Sequence, residues 1–389
     1  MTLITETEAL ARFCAEAAGN PYVTVDTEFL RERTYYAQLC LVQLARPGEG
    51  EDGAVLVDTL SDRLSLDPLY ELFRNRHVTK VFHAARQDLE IFQTTAGVIP
   101  EPFFDTQVAA MVCGYGDQVG YETLVRRIAR ASIDKSSRFT DWSRRPLSQA
   151  QMSYALADVT HLRKVYETLS RQLADTGRSG WVEEELSVLT DPATYAADPE
   201  AAWTRIKTRS TSPRFLAALR ELARFREIAA RDRNVPRGRI LKDDALLELA
   251  ANRPHSYEDL GKSRLLLREA RRGDLADGIL AAVAVAEAVP ADAAPRPADL
   301  PDRPPGSEAL ADLLRVLLKA RADAEGVAQR LIASSADLDA LAAGDAPEVP
   351  ALHGWRHEVF GRDALRLKRG EIALSAAGST VKVVPLDGA

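Results

Sequence analysis

Cysteines, long apolar runs and an overall positive charge are scarce or missing in this chain of 389 residues. Its three cysteines, Cys14, Cys40 and Cys113, form no C-x-x-C pair, which argues against a disulfide framework and predicts reduced, buried thiols in a cytoplasmic protein. No stretch approaches the ~18 apolar residues of a membrane span, so no membrane association is expected. The first residues, M-T-L-I-T-E-T-E, lack the basic and then apolar regions of a signal peptide.

The net charge of −7 at first argues against a nucleic-acid partner, but the charges are unevenly distributed. Residues 205–274 contain 18 lysines and arginines against 10 acids, a surplus of 8 positive charges. A basic module joined to acidic surroundings suits a protein that binds phosphates with one part and cations with another. A solvated helix face explains such a charge run equally well, so charge alone does not decide between the two.

Strand and helix patterns alternate over about the first 200 residues. Three β-branched segments, Y-V-T-V-D-T-E-F, Q-L-C-L-V-Q-L and A-V-L-V-D-T-L, follow one another closely and predict an antiparallel meander. A fourth strand at Lys80–His83 and helices around 66–74, 86–94 and 147–173, the last capped by Ser148, complete the pattern. Together they predict an α/β layer with a mixed sheet.

From about Trp203 onward, strand patterns disappear until the last few residues. An amphipathic helix at 215–230 precedes shorter helices predicted around 243–251, 257–260 and 265–270. Six prolines between 289 and 306 indicate an extended linker. We therefore predict an α/β domain at 1–204, an all-α domain at 205–288, an Ala/Pro-rich linker at 289–306, and a second helical unit with a tail at 307–389.

Five polar side chains stand out as a group. Asp26 and Glu28 are two residues apart on a predicted strand, so both point to the same face, where two carboxylates repel each other unless a cation neutralises them. Carboxylate oxygens favour Mg²⁺ or Mn²⁺ over zinc. Asp88 near a helix start, and Tyr154 and Asp158 one helical turn apart, each also have a plain structural explanation when taken singly.

In this order the five residues form a specific pattern. Asp26-x-Glu28, Asp88 and Tyr154-x-x-x-Asp158 resemble the tyrosine-bearing branch of the DEDD exonuclease superfamily. The surrounding sequence is similar to the ribonuclease D family over residues 20–170. The matching segments are D-T-E-F-L-R-E-R-T-Y-Y-A-Q-L-C-L-V-Q-L, V-F-H-A-A-R-Q-D-L-E-I-F, D-K-S-S-R-F-T-D-W-S-R-R-P-L-S and Y-A-L-A-D-V.

The resemblance implies an RNase H-like exonuclease fold and hydrolysis of the 3′-terminal phosphodiester with two divalent metal ions, Mg²⁺ or Mn²⁺. It implies that Asp26, Glu28 and Asp158 hold one metal, that Asp26 bridges to the second, and that Asp88 supports the second. Tyr154 would orient the attacking water, since an unperturbed tyrosine pKa of ~10 makes it a poor base.

Other residues in the matching motifs leave two interpretations open. Phe29 is a candidate for stacking on the terminal base or for filling the core, and His83 is a candidate RNA contact or a structural histidine. Candidate phosphate contacts are Lys135, Arg144 and Arg145, whereas Trp142 is expected to pack in the interior.

Residues 207–285 resemble an HRDC domain, a small helical module that binds nucleic acid. Five basic residues flank its central turn and are candidate contacts to an RNA backbone, with a merely solvated surface as the alternative: Arg231, Arg233, Arg237, Arg239 and Lys242. Residues 307–375 are similar to a second, diverged copy, which is no longer basic.

The predicted protein is therefore a monomeric, cytoplasmic 3′→5′ exoribonuclease. It would trim tRNA precursors and other structured RNAs and release nucleoside 5′-monophosphates. Two alternatives are a DNA 3′→5′ exonuclease, because the same carboxylates serve DNA enzymes, and an RNA-binding scaffold with a silent site.

Overall fold

The computed structural model describes residues 2–134, 136–290, 292–296, 304, 306–344 and 347–386. Lys135 and residues 291, 297–303 and 305 of the predicted linker lie outside the described residues. The predicted phosphate contact of Lys135 and the extended form of the linker therefore stay predictions.

A mixed sheet organises the N-terminal region. Within the described ranges its strands have the order β1-β4-β3-β2-β5-β6. They are β1 (Leu3–Ile4), β2 (Tyr22–Leu30), β3 (Gln38–Ala45), β4 (Ala54–Val57), β5 (Thr79–Phe82) and β6 (Phe103–Asp105). The predicted meander is present, because β2–β3 and β3–β4 pair antiparallel, whereas β2–β5, β5–β6 and β1–β4 pair parallel.

Helices cover both faces of this sheet. They are α1 (Thr7–Ala17), α2 (Asp67–Arg74), α3 (Arg86–Ala96), α4 (Thr106–Val112), α5 (Tyr121–Leu124), α6 (Gln149–Thr176) and α7 (Ser179–Thr190), with a π-helical turn at Val125–Ala129. Ser148 caps α6 as predicted, through a reciprocal capping box with Gln151.

The period-two pattern of β2 decides which side chains meet α6. Val23 and Val25 point into the main core, whereas Thr24 points to the opposite face, where its hydroxyl donates to the Val159 carbonyl of α6 at 2.8 Å. Asp26 and Glu28 follow Thr24 at the same spacing, so they too face α6.

The first helical region forms its own core. It contains α8 (Pro213–Asp232), α9 (Arg237–Ile240), α10 (Asp243–Asn252), α11 (Tyr257–Lys262) and α12 (Asp274–Glu287). The predicted helix at 265–270 is wrong, since only a short 3₁₀ turn forms there, at Arg268–Arg271. The Glu248 carboxylate accepts hydrogen bonds from the backbone amides of Arg264 (2.9 Å) and Leu265 (3.0 Å), and Leu267 has a non-helical backbone, with φ −59° and ψ 149°, so the helical turn begins only after it.

The C-terminal region has a separate core and is not purely helical. Its helices are α13 (Ser307–Glu325), α14 (Gln329–Ile332), α15 (Ser335–Ala343), α16 (Gly354–Arg356) and α17 (Arg362–Lys368), with a π-helical turn at His357–Gly361. An antiparallel hairpin, β7 (Ile372–Ala377) and β8 (Thr380–Pro385), ends the region, where the sequence indicated strand only for the last few residues. In the described part of the chain, no helix has both the length and the apolar character needed to cross a bilayer.

Both helical regions dock on the α/β domain. The Tyr35 hydroxyl, from the β2–β3 connection, hydrogen-bonds the Glu227 carboxylate of α8 at 2.5 Å. On the other side Trp181 of α7 stacks on Trp355 with ring centroids 4.4 Å apart. Gly114, at φ +77°, lies so close to the Gly326 carbonyl that any Cβ would collide with it, so the approach of these two segments requires glycine.

Candidate active site

Three carboxylates converge between β2 and α6. One oxygen from each of Asp26, Glu28 and Asp158 lies within 4.8 Å of the other two, and no other such group of potential metal ligands occurs among the described residues. The strand brings the first two acids and the capped helix brings the third. The positions predicted from sequence therefore meet in space.

Asp88 joins the site from the first turn of α3 and is 6% exposed. The Thr27 hydroxyl donates a hydrogen bond to its carboxylate, which fixes the side chain beside the cluster without making it part of the three-acid group. A β-bulge between Glu28 and Phe29 locally shifts the register of β2 against β3 at this point.

Burial dominates the electrostatics of these acids. It raises the pKa of Asp26 well above its usual range, and repulsion from Asp158, Asp88 and Glu28 adds to this. Burial followed by the same kind of repulsion raises the pKa of Glu28 to about 9.

Burial also raises the pKa of Asp88 and of Asp158 to about 7, against opposing hydrogen bonds from Thr27 and Tyr154 respectively. Such acids cannot all ionise at neutral pH without a compensating cation. These carboxylate oxygens are hard ligands whose negative charges are not neutralised, so they fit a divalent metal of the magnesium type.

Tyr154 lies one helical turn before Asp158 and hydrogen-bonds its carboxylate. Burial and the adjacent Asp158 charge raise the pKa of Tyr154 above its usual range. The phenol therefore stays protonated near neutral pH, and its proton is donated to the Asp158 carboxylate.

An open cavity of about 700 Å³ lies over the cluster and contains all five predicted site residues, together with Phe29 and His83. The His83 Nδ1 is 3.0 Å from the Thr106 hydroxyl, its ring lies 5.4 Å from that of Tyr121, and burial lowers its pKa. Phe29 is half-buried, with the Arg31 guanidinium 5.1 Å from its ring centroid. Both residues border the cavity without belonging to the acid cluster.

Two groups of residues at the site were missed by sequence reasoning. Arg138 and Phe139 line the cavity. Gln43 is fully buried opposite Asp26 in the β2–β3 ladder, and neither polar atom of its amide has a hydrogen-bond partner among the described residues. The pairing of β2 with β3 could have indicated that Gln43 lies opposite Asp26. No feature of the sequence indicated that Phe139 is exposed.

Other predicted contacts lie away from the cavity. The Arg145 guanidinium bonds both Asp58 oxygens, at 2.8 and 2.6 Å, and the Cys40 carbonyl at 2.8 Å, so its donors serve the fold. Arg144 is exposed, and Trp142 is buried as expected.

The basic cluster of the first helical region is also divided. Arg231, Arg233, Arg239 and Lys242 are exposed. Arg237 instead pairs with the buried Glu227 at 2.5 Å and lies 4.7 Å from the ring centroid of Tyr35. Its guanidinium therefore belongs to the docking contact between the two regions.

Comparison with known proteins identifies the family. The sequence profile of the 3′-5′ exonuclease family matches residues 1–174, and that of the HRDC domain matches residues 215–283. Ribonuclease D of Jannaschia sp. is 64% identical over 98% of each chain. The chain belongs to the ribonuclease D family.

Further relatives agree with this membership. Ribonuclease D of Granulibacter bethesdensis is 52% identical over 98% of this chain and 96% of that protein. The crystal structure of Escherichia coli RNase D, described as an exoribonuclease involved in structured RNA processing, superposes with a TM-score of 0.81 at 29% identity, covering 95% and 98% of the two chains. The predicted family, fold class and 3′→5′ exoribonuclease activity are confirmed, with a nucleic acid as substrate.

Proposed function

We propose that this ribonuclease D family member trims the 3′ ends of tRNA precursors and other structured RNAs, releasing nucleoside 5′-monophosphates by two-metal-ion hydrolysis. The observation that carries the proposal is the convergence of Asp26, Glu28 and Asp158 within 4.8 Å of one another on the floor of an open cavity. We further propose that the protein works as a monomer in the cytoplasm.

The four acids divide into two overlapping groups in this proposal. Asp26, Glu28 and Asp158 would hold one divalent ion, and Asp26 together with Asp88 from α3 would hold a second. Bound Mg²⁺ or Mn²⁺ would lower the pKa of the attacking water and compensate the charge on the leaving oxygen. The Thr27 hydroxyl orients Asp88 for its task through their hydrogen bond.

Tyr154 positions the attacking water. Because its raised pKa keeps the hydroxyl protonated and that proton is donated to Asp158, the phenol oxygen would accept a hydrogen bond from the water but would not remove the proton of the water. Its bond to Asp158 and its packing near Trp142, with ring centroids 6.2 Å apart, hold the ring in one orientation.

The part of the RNA that precedes its 3′ end is proposed to lie along the helical regions. Exposed Arg239 and Lys242 would contact phosphates, together with Arg231 and Arg233, which now pair with the exposed acids Asp232 (3.5 Å) and Asp274 (4.0 Å). Arg237 would act through the docking contact with Glu227 and Tyr35. Phe29 and His83 would border the terminal nucleotide. The region at 307–375 is proposed as a diverged second HRDC-like unit that frames the path.

The decisive experiment compares matched RNA and DNA strands that carry a single-stranded 3′ tail. We expect Mg²⁺- or Mn²⁺-dependent release of nucleoside 5′-monophosphates from RNA, stopped by a chelator. Asp26→Asn should lower turnover about a thousandfold, since metal stabilisation is worth several kcal/mol and ~1.4 kcal/mol is tenfold in rate. Asp175→Asn, an exposed acid at the far end of α6, is the matched control.

Faster hydrolysis of the DNA strand would replace the substrate proposal with a DNA exonuclease. Binding without any release of nucleotides would indicate a scaffold. Near-normal turnover in Asp26→Asn, with the fold intact, would contradict the two-metal assignment.

A further inference from the structure

An arginine–phenylalanine pair stands at the mouth of the active-site cavity. Phe139 is 91% exposed, more than any other large apolar residue that the structure describes. The Arg138 guanidinium lies 5.1 Å from its ring centroid, and both side chains line the cavity that holds the carboxylates. A phenylalanine so placed loses the benefit of burial unless a ligand covers it.

Phe139 lies in a short segment whose residues on either side, Ser137 and Thr140, are held in place by hydrogen bonds. Ser137 is 4% exposed, and its carbonyl accepts hydrogen bonds from the Thr140 amide at 3.2 Å and hydroxyl at 2.8 Å. The Gln151 amide of the α6 capping box donates to the Thr140 hydroxyl at 3.1 Å. This bond ties the segment that carries the pair to the first turn of α6, the helix that carries Tyr154 and Asp158.

The charge of Arg138 is directed toward the catalytic acids. Its proximity lowers the pKa values of Glu28 and Asp158, against the larger effect of burial. The side chain is exposed, and none of the described acids forms an ion pair with it within 4.0 Å. Its five guanidinium donors therefore remain available for an anion that enters the cavity.

We propose that Arg138 and Phe139 form a binding subsite for the single-stranded 3′ end of RNA, with a base stacked on Phe139 and a backbone phosphate paired with Arg138. The inference rests on the proposed function and adds the residues that grip the substrate. Unpaired bases stack on aromatic side chains regardless of their identity, and arginine pairs with phosphate through two donors, so this pair binds any 3′ end.

The stacking part is tested with Phe139→Ala on a single-stranded RNA and on the same RNA made abasic at each of the last three nucleotides in turn. Because base–aromatic stacking contributes about 1–3 kcal/mol, we expect a KM about tenfold higher with kcat unchanged. The increase should disappear on the one RNA that lacks the stacked base. Phe139→Trp should restore the KM, and Val188→Ala, which trims another exposed apolar residue, should not change it.

The phosphate part is tested by RNA binding in the inactive Asp26→Asn background at several salt concentrations. Loss of one phosphate contact to a single strand lowers the slope of log K against log salt by about 0.7, so Arg138→Gln should reduce the slope by that amount. Phe139→Ala should leave the slope unchanged. Arg171→Gln is the control, because Arg171 is exposed on α6 thirteen residues beyond Asp158, or about 20 Å along the helix.

An unchanged KM in Phe139→Ala, or an equal increase on intact and on every abasic RNA, would overturn the stacking role. An unchanged salt slope in Arg138→Gln would overturn the phosphate role. In either case a wild-type protein that still degrades RNA leaves the proposed function standing. A wild-type protein that releases no nucleotide would instead defeat the proposed function, so the two failures are distinguishable.

Discussion

Replacing Asp158 with asparagine is predicted to stabilise the metal-free protein while it removes a proposed metal ligand. Asp158 is 8% exposed and lies within 4.8 Å of Asp26 and Glu28, measured between ligand oxygens. Asparagine keeps nearly the same shape and can still accept the Tyr154 hydrogen bond, but it carries no charge. The substitution therefore isolates the cost of one buried negative charge.

The magnitude follows from the pKa of Asp158, which burial raises from 3.8 to about 7. Because the folded pKa lies above the unfolded one, the folded state keeps a proton that the unfolded state releases, and stability falls as pH rises between these values. One pH unit corresponds to about 1.4 kcal/mol, so the full cost is at most about 4 kcal/mol above pH 7 and none below pH ~4.

An amide also loses some hydration on burial, so we expect about 2 kcal/mol of net gain in Asp158→Asn at pH 8. This corresponds to an increase of about 4–8 °C in the Tm of the α/β domain. At pH 5 the gain should be much smaller, because wild-type Asp158 is then protonated in the folded state.

Calorimetric unfolding with and without a chelator measures both the stability of the metal-free protein and its stabilisation by metal. Saturating Mg²⁺ or Mn²⁺ should stabilise the wild type by about 2.7 kcal/mol at a hundred times Kd, and should stabilise Asp158→Asn far less. Asp175→Asn, exposed on the same helix, should behave like the wild type. The reasoning is refuted if metal-free Asp158→Asn is no more stable than wild type at pH 8, or if it gains as much from metal.

Two other predictions concern Tyr154 and the docking contact of the first helical region. Tyr154→Phe should lower kcat about a hundredfold, because it removes the hydroxyl that we propose orients the attacking water. Metal affinity measured by titration calorimetry should stay unchanged, and normal turnover would contradict this role. Arg237→Ala should lower the free energy of unfolding by about 1–3 kcal/mol, since it leaves the buried Glu227 carboxylate without its ion-pair partner. Denaturant titration tests this, with exposed Arg239→Ala as control, and equal stabilities would show that the pair contributes nothing.

Local patterns predicted most of the α/β domain because they depend on nearest neighbours along the chain. The alternation in β2 and the capping residue Ser148 needed no tertiary information. The strands β1 and β6 were missed because they have two and three residues and exist only through their pairing with β4 and β5. The segment 265–270 was wrongly predicted because Leu267 has a non-helical backbone, which a run of apolar residues does not reveal.

For the site, the acids were found because their spacing and surrounding motifs are encoded directly in the sequence. The roles of the arginines could not be predicted, since the sequence does not reveal whether a guanidinium faces solvent or an acid. Arg145 pairs with Asp58 and Arg237 with Glu227, while Arg138 lines the cavity and pairs with none of the described acids.

The amino-acid sequence by itself determined the family, the strand that presents Asp26 and Glu28 on one face, and the helix that presents Tyr154 and Asp158 on one face. These depend on the periods of strand and helix, which are local properties of the backbone. Only the tertiary structure decided that the two faces meet within 4.8 Å and that burial raises the pKa values of the acids there. It alone exposed Phe139 beside them, because burial and ion pairing depend on residues that are far apart in the chain.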